Sequence, residues 1–328
     1  MSLLQSLPGI STPVSEVTKA LAQMWQGESA GSAPSEFRAS QMNLILHFGL
    51  ATTDADAQET FQIALRFAQR YPCRIIVLCP TENEPPGEAI LEGKLFSQCY
   101  IGDGHGEMNC CEALILGYHC DAARFLEDQV SIWLESDLPT YHWFHHVPAA
   151  IIGQRYLSFT KACKRIIYDS TIDGYAYQSL SWPRPDNLRD LAWARILPIR
   201  QSLGQFLSAF PAATLIEGLC EIKLIGAPSR RGEAENLLCW LYGCLHKCRD
   251  DWDGTKPIEW SSHPATGPET GLIYISWHYI NDHYFHFKLI SDNGEASIEA
   301  DFGDGPIRHP LQIMFLKPEE ALAESLFF

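Results

Sequence analysis

The sequence has no long apolar run and almost no clustering of positive charge. None of its apolar stretches approaches the roughly 20 residues that a helix needs to span a bilayer, and its longest basic run is Arg230-Arg231. Residues 1–8 have neither the basic region nor the apolar region of a signal peptide. We therefore expect a cytoplasmic protein without a membrane-spanning segment.

Positive charge is also scarce overall. The chain has 24 Lys and Arg against 40 Asp and Glu, which gives a formal net charge of −16. A chain this acidic repels phosphate backbones and anionic lipid headgroups. We expect neither nucleic acid nor a membrane surface as a partner.

Motifs that mark catalysis are missing as well. The sequence contains no G-x-S-x-G elbow, no Walker loop, no H-E-x-x-H pair and no helix with paired glutamates. Sites can also assemble from residues distant in sequence. From the motifs alone we expect no catalytic, cofactor-binding or metal-binding residues, and no cofactor.

Cysteine is plentiful, with 11 residues. Without an export signal, these are expected to be thiols of a reducing compartment rather than a disulfide framework, and their odd number agrees. Cys110, Cys111 and Cys120 lack the paired spacing of a structural zinc site. We expect them to pack as small apolar residues, although a redox role for some pair stays open.

Apolar material is abundant. The chain has 328 residues, of which 46% are hydrophobic and 20% charged. At about 150 residues per domain this length favours two domains, and the composition is sufficient to fill their cores.

Strands and helices alternate in the first half. Residues 1–35 are predicted to form an N-terminal helix and a linker, and an α/β domain is predicted over residues 36–174. Apolar strands are expected at 42–48, 73–79, 113–118, 140–144 and 165–169, with helices at 54–70 and 122–134. Short apolar strands separated by helices are typical of a mostly parallel sheet covered on both faces.

The pattern changes after Asp173, where a smaller α+β domain is predicted over residues 175–328. One long or kinked helix is expected over 188–210, with Pro198 as its break. A strand is expected within 215–225 and a helix over 233–247. Strands at 273–279 and 284–290, joined by 281–283, predict an antiparallel hairpin, with a third such strand at 297–302.

Two clusters have a functional and a structural interpretation. The glycine-rich segment 102–106 resembles a phosphate-binding loop, but a strand is predicted after it where such loops need a helix. His142, His145 and His146 resemble a metal or acid–base cluster. No carboxylate sits nearby in sequence to orient these imidazoles, so histidines of the core or of a strand end are favoured.

Seven segments form an ordered set of motifs along the chain. They are 37–44 (FRASQMNL), 71–78 (YPCRIIVL), 110–112 (CCE), 137–143 (DLPTYHW), 164–170 (KRIIYDS), 190–200 (DLAWARILPIR) and 237–241 (LLCWL). In this order they resemble motifs of the glucose-6-phosphate dehydrogenase assembly protein family, OpcA. Tyr71 and Cys73 replace that family's usual His and Ser, and Ile199 replaces a Trp.

The resemblance implies a non-catalytic assembly factor or activator of glucose-6-phosphate dehydrogenase, which acts by protein–protein binding in the oxidative pentose phosphate pathway. It also implies redox control through cysteines, without identifying a pair. Twelve motif residues are candidates for holding the fold or for contacting the partner: Arg38, Asn43, Arg74, Glu112, Asp137, Pro139, Trp143, Asp169, Trp193, Arg195, Arg200 and Trp240.

Two alternatives stay open. An α/β sheet of this kind often binds a sugar phosphate or a nucleotide at the carboxyl ends of its strands, and segment 102–106 with the histidines at 142–146 would form that site. The second alternative is a thiol-redox sensor.

Overall fold

The chain forms two units. The computed structural model describes residues 2–27, 40–82, 91–101, 108–248, 259–264 and 271–328. Contacts divide it into Met1–Asp190 with Leu322–Phe328, and Leu191–Ala321. The predicted domain boundaries after residues 35 and 174 stay predictions. Arg38, segment 102–106 and most of the predicted linker lie outside the described residues.

The first unit is built on an eight-stranded sheet. Its strands are β1 (Ile10–Thr12), β2 (Met42–Phe48), β3 (Cys73–Thr81), β4 (Leu91–Ile101), β5 (Met108–His119), β6 (Thr140–His145), β7 (Arg165–Tyr168) and β8 (Leu188–Asp190). Its helices are α1 (Leu3–Ser6), α2 (Val17–Gly27), α3 (Asp54–Arg70), α4 (Leu126–Ser131), α5 (Ala149–Ile151) and α6 (Ser170–Asp173).

The strand order is β1-β4-β5-β3-β2-β6-β7-β8. The six strands from β5 to β8 in this order are parallel, and at one edge β4 pairs antiparallel with β5 and β1 pairs antiparallel with β4. The predicted mostly parallel α/β sheet is therefore confirmed. Counted along the chain, the parallel strands follow the doubly wound order 3-2-1-4-5-6, which reverses direction between β2 and β6.

Burial explains the strand sequences. Every residue of β2 is buried, because strands covered on both faces are apolar almost throughout. Helix α3 covers one face with Ala57, Phe61, Ala64 and Leu65. It begins after Thr53, whose side chain caps the helix, and it has the predicted bounds.

Several expectations for the first unit were wrong. Strand β3 continues through Pro80 to Thr81, and β4 was not predicted. The helix predicted over 122–134 is a 3₁₀ segment (Cys120–Phe125) followed by the shorter α4. A disulfide joins Cys99 to Cys110, contrary to the expectation of thiols throughout, because the antiparallel pairing of β4 with β5 places these two residues opposite each other.

The second unit contains a six-stranded sheet, ordered β10-β9-β11-β12-β13-β14. Its strands are β9 (Leu219–Gly226), β10 (Glu259–Pro264), β11 (Ile273–Tyr279), β12 (Tyr284–Leu289), β13 (Glu295–Asp301) and β14 (Ile307–Gln312). Its helices are α7 (Leu191–Arg195), α8 (Leu197–Leu207), α9 (Ala212–Ile216), α10 (Arg231–Cys248) and α11 (Pro318–Phe327), the last of which continues into the first unit.

The hairpin β11–β12 and the third strand β13 are antiparallel, which confirms those predictions. The pair β9–β10 is parallel. One expectation was wrong: residues 188–190, predicted as the start of the long helix, form strand β8 instead. The predicted break lies at Ile196, and Pro198 occupies the first turn of α8, where a missing N–H costs no helical hydrogen bond.

Among the described residues, no helix is both long enough and apolar enough to cross a membrane.

Candidate functional site

Three of the predicted motif residues meet near the amino ends of the central parallel strands. Asn43, on β2, is fully buried. Its side-chain amide donates to the carbonyl oxygen of Glu135 at 2.9 Å and accepts from the backbone N–H of Glu135 at 3.0 Å. Its backbone N–H donates to the carbonyl of Pro139 at 2.9 Å. Asn43 thus fastens the turn that leads into β6.

Arg74, on β3, makes the neighbouring connection. Its Nε donates to Glu112 Oε1 at 2.5 Å, and Nη1 donates to the carbonyl of Trp133 at 2.9 Å. Nη2 lies 2.5 Å from Glu135 Oε1. Arg74 and Glu112 are both buried, so this motif pair joins β3, β5 and the turn before β6 inside the protein.

The remaining motif residues of the first unit are scattered. Asp137 and Pro139 are exposed on the turn that Asn43 holds, whereas Trp143 is buried on β6. Asp169 is buried at the opposite, carboxyl ends of the strands, where it caps α6 by accepting from the N–H of Thr171 at 3.0 Å.

In the second unit the motif residues hold helices. Arg195 Nε donates to Glu233 Oε1 at 2.8 Å, and Glu233 is fully buried. The Arg200 guanidinium lies 3.9 Å from the centre of the Trp193 ring. Trp193 and Trp240 are partly buried against the core of that unit. Most of the described motif residues are therefore buried in the fold or contact other parts of it.

A second polar group lies at the carboxyl ends of β2 and β6. Asp56, in the first turn of α3, places its Oδ2 2.9 Å from His145 Nε2 and 3.1 Å from His146 Nε2. Thr60 Oγ1 lies 3.3 Å from the same His145 nitrogen. We call Asp56, His145 and His146 the carboxyl-edge cluster.

Backbone geometry brings this cluster together. His146 has φ = 57°, and among the described residues no other non-glycine residue has positive φ. This left-handed conformation is uncommon outside glycine, and it turns the second imidazole toward the same carboxylate. Gly49 packs beside it: a Cβ at Gly49 would overlap the carbonyl of His146 and lie 2.9 Å from the N atom of Val147.

The charges of the cluster follow from its contacts. Hydrogen bonding from His145, opposed by burial, lowers the pKa of Asp56. Burial, then repulsion from His145, lowers the pKa of His146 against the attraction of Asp56 and Asp169. The cluster therefore presents an anionic carboxylate to an imidazole that favours its neutral form.

His142 does not join this cluster. It lies on the other face of β6 in a buried polar chain: His142 Nε2 is 3.2 Å from His47 Nδ1, His47 Nε2 is 2.7 Å from Tyr118 Oη, and Tyr118 Oη is 2.8 Å from Tyr156 Oη. Burial lowers the pKa of His47 to about 3. The interpretation of His142 as a core histidine is confirmed by its complete burial.

Asp56 was not among the predicted site residues. No carboxylate sits near His145 and His146 in sequence, but Asp56 contacts both of them in the fold. Asp56 is separated from His145 by 89 positions. A signal did exist: acidic residues follow the first parallel strand and two histidines end the fourth. The doubly wound order makes those two strands neighbours.

Further carboxylates lie along the same edge. Asp190 Oδ1 accepts from the N–H of Ser170 at 3.0 Å. Burial, together with repulsion from Asp169 and Asp190, raises the pKa of Asp173 to about 8. Asp173 thus holds a proton at neutral pH.

We expect Asp173→Asn to stabilise the protein increasingly as the pH rises from 5 to 8. The native state keeps a proton on Asp173 up to pH of about 8, whereas the unfolded chain releases it near its usual pKa of about 4. The wild type therefore loses stability across this window by up to about 1.4 kcal/mol per pH unit. Urea unfolding at several pH values measures the difference. The exposed Asp186→Asn is the control, and a gap that does not grow with pH would contradict the expectation.

The junction of β2 with α3 is unlike a nucleotide site. In a doubly wound sheet, glycines and free N–H groups at this helix start receive phosphate. Here the N–H of Asp56 donates to Thr53 Oγ1 at 3.2 Å, and Asp54 and Asp56 place two carboxylates in the first turn. The negative charge and the occupied cap both oppose a phosphate.

Fold and site together define an α/β protein whose motif residues mostly secure its sheet and helices. Residues 64–181 match the OpcA family model that is described as "Glucose-6-phosphate dehydrogenase subunit N-terminal domain". The match contains Arg74, Glu112 and Asp169. This match, together with similarity to a protein named OpcA, confirms the resemblance to the OpcA family that the motifs indicated.

A curated relative is "Putative OxPP cycle protein OpcA" from Synechocystis sp., 29% identical over 187 residues. The alignment covers 55% of this chain and 38% of that protein, so the chain spans well under half the length of the relative it matches.

Solved structures are much less similar. The 3-ketoreductase KijD10 of Actinomadura kijaniata has 8% identity and a TM-score of 0.43, with 87% of this chain and 88% of that chain covered. The aldose-aldose oxidoreductase of Caulobacter crescentus has 8% identity and a TM-score of 0.37, with 87% of each chain covered. Similarity this low indicates neither a shared fold nor a shared activity.

Proposed function

We propose that this chain is a non-catalytic assembly factor or activator of glucose-6-phosphate dehydrogenase, acting by protein–protein binding in the oxidative pentose phosphate pathway of the cytoplasm. The main support is that residues 64–181 match a family whose description names that dehydrogenase. The name of the curated relative, an OxPP cycle protein, supports the same pathway.

The start of α3 supports a role without nucleotide chemistry. A dehydrogenase of this fold class would bind its cofactor phosphates there, but Asp54 and Asp56 make the position negative and Thr53 caps it. This disfavours the alternative of a nucleotide-binding or sugar-phosphate-binding enzyme.

A binding protein can activate an enzyme through differential affinity. If this chain binds the assembled, active state of the dehydrogenase more tightly than other states, it shifts the equilibrium toward that state. The shift is limited by the ratio of the two affinities. No catalytic residue of its own is needed for this effect.

The test is co-expression with the host's glucose-6-phosphate dehydrogenase, followed by size-exclusion chromatography and an activity assay. We expect the two proteins to elute together, and the dehydrogenase to show higher activity or a lower apparent KM when this chain is added. Separate elution with unchanged activity would overturn the proposal, as would turnover of a sugar phosphate by this chain alone.

A substitution at Asp137 can distinguish motif residues that contact the partner from those that hold the fold, because Asp137 is a charged motif residue with an exposed side chain. If the turn that Asn43 holds contacts the partner, Asp137→Asn weakens co-elution without changing the unfolding temperature. Asp121→Asn, at another exposed carboxylate, is the matched control. Equal effects of both variants would place the contact elsewhere.

One observation favours a thiol-redox sensor as the second candidate. Cys99 is exposed, and its disulfide to Cys110 joins β4 to β5. Repeating the activity assay with and without reductant, on the wild type and on Cys99→Ser, distinguishes the two. Activation that depends on reductant in the wild type alone would favour the sensor.

A further inference from the structure

The carboxyl-edge cluster has the composition of a metal site. Asp56, His145 and His146 each offer one ligand atom, and the three atoms lie within 4.8 Å of one another. Two imidazole nitrogens and one carboxylate oxygen form a donor set that suits zinc and related divalent metals. These residues come from two elements that the strand order makes adjacent, so the set needs no sequence motif.

Two of the three ligand distances are close to those around an ion. Asp56 Oδ2 is 2.9 Å from one imidazole nitrogen and 3.1 Å from the other, and all three ligand atoms lie within 4.8 Å of one another. Ligand atoms bound tetrahedrally to zinc at about 2.0 Å are about 3.3 Å apart. Seating the ion therefore requires the carboxylate oxygen to move outward by a few tenths of an ångström and the two imidazole nitrogens to adopt the same spacing.

A simple structural contact does not explain the second histidine. His145 is buried against Asp56 and Thr60 and by itself secures the start of α3 to the end of β6. His146 contacts the same carboxylate oxygen from a left-handed backbone, a conformation that non-glycine residues keep mostly where the surrounding structure or a function requires it.

The cluster is open on one side. The side chains of Asp56 and His146 are each 33% exposed, whereas that of His145 is 4% exposed. An ion can reach the three ligands from solvent. Three protein ligands leave a coordination position for water or for a donor atom of another molecule.

We propose that Asp56, His145 and His146 form a binding site for one divalent transition-metal ion, with Zn²⁺ the best match. This departs from the expectation of no metal-binding residue. The site is not a tight structural one, because His145 Nδ1 is buried without a partner among the described residues, and a ligand imidazole without an outer hydrogen bond loses about 10- to 100-fold in affinity. The proposal concerns this chain alone and does not depend on the proposed dehydrogenase partner.

The first experiment is titration calorimetry of the full, reduced chain with ZnCl₂. We expect one site whose affinity falls at least about tenfold in Asp56→Asn, since a charged ligand is lost. Asp54→Asn is the matched control, because Asp54 is an exposed carboxylate of the same helical turn. Equal affinities for wild type and Asp56→Asn would overturn the proposal.

The second experiment separates this site from cysteine binding. CoCl₂ is added to wild type and to His146→Asn, a variant that removes the imidazole while asparagine tolerates left-handed φ. We expect weak visible bands of nitrogen and oxygen ligation in the wild type, and their loss in the variant. A spectrum dominated by thiolate-to-cobalt charge transfer, or one unchanged in a folded His146→Asn, would show that the ion binds elsewhere and would refute the site.

Discussion

Gly49→Ala is expected to destabilise the protein by about 4 kcal/mol, at the upper end of single-substitution effects. A Cβ at Gly49 would overlap the backbone carbonyl of His146. The atoms that the Cβ would meet belong to the backbone, so no side-chain rotation can relieve the overlap. The two backbones are also held together by the hydrogen bond that the Gly49 N–H donates to the carbonyl of His145 at 2.8 Å. The ends of β2 and β6 must therefore separate.

The measurement is guanidinium or thermal unfolding, in which this loss lowers the midpoint by roughly 10 °C for a unit of this size. Gly153→Ala is the control from the same unit, because the nearest atom to its Cβ is a Leu180 methyl at an ordinary 3.4 Å. It should change stability by less than about 1 kcal/mol. Similar midpoints for the two variants would show that the β2–β6 junction tolerates displacement.

The same glycine shows why the site was only partly predictable. Local periodicity predicted α3 with its observed bounds, since Thr53, the acidic first turn and the apolar face all act within one element. The close approach of Gly49 to His146 depends instead on two strands that are far apart in sequence. The pattern of a single sequence does not reveal which residues of two such distant strands lie side by side.

The errors have the same origin. Strand β4 has Gly93 and Lys94 in its first half, residues that rarely favour strands. Its position is fixed by pairing with β5, and Lys94 Nζ donates to the carbonyl of Leu7 at 2.9 Å. The Cys99–Cys110 disulfide could not be expected while β4 itself was missed. Tertiary contacts, rather than local propensity, determine this edge of the sheet.

The motif residues were found by resemblance, and the structure explains what most of them do. Asn43 and Arg74 bind the backbone of the turn before β6, and Arg195 neutralises the buried Glu233. Groups that satisfy buried polar atoms are costly to replace. Their pattern can therefore mark a shared fold without marking a shared contact surface.

Arg74→Met should destabilise the protein by about 3–5 kcal/mol, which is the cost of removing one partner from a buried ion pair. The variant takes the guanidinium away from Glu112, whose side chain is 4% exposed, and from Glu135. It also leaves the carbonyl of Trp133 without the hydrogen bond from Nη1. Urea unfolding at pH 7 measures the loss.

The exposed pair Arg66–Glu59, at 3.2 Å, supplies the control. Arg66→Met should cost less than about 1 kcal/mol, because surface ion pairs contribute little. If both arginine variants lost the same stability, burial would not be the cause.

A charge effect should also respond to a second substitution. In Arg74→Met the Glu112 carboxylate stays buried without its guanidinium, so the penalty should be that of an uncompensated buried charge. Adding Glu112→Gln removes the charge and should recover about 1 kcal/mol or more. Absence of this recovery would mean that Arg74 acts through packing of its side chain instead of through the ion pair.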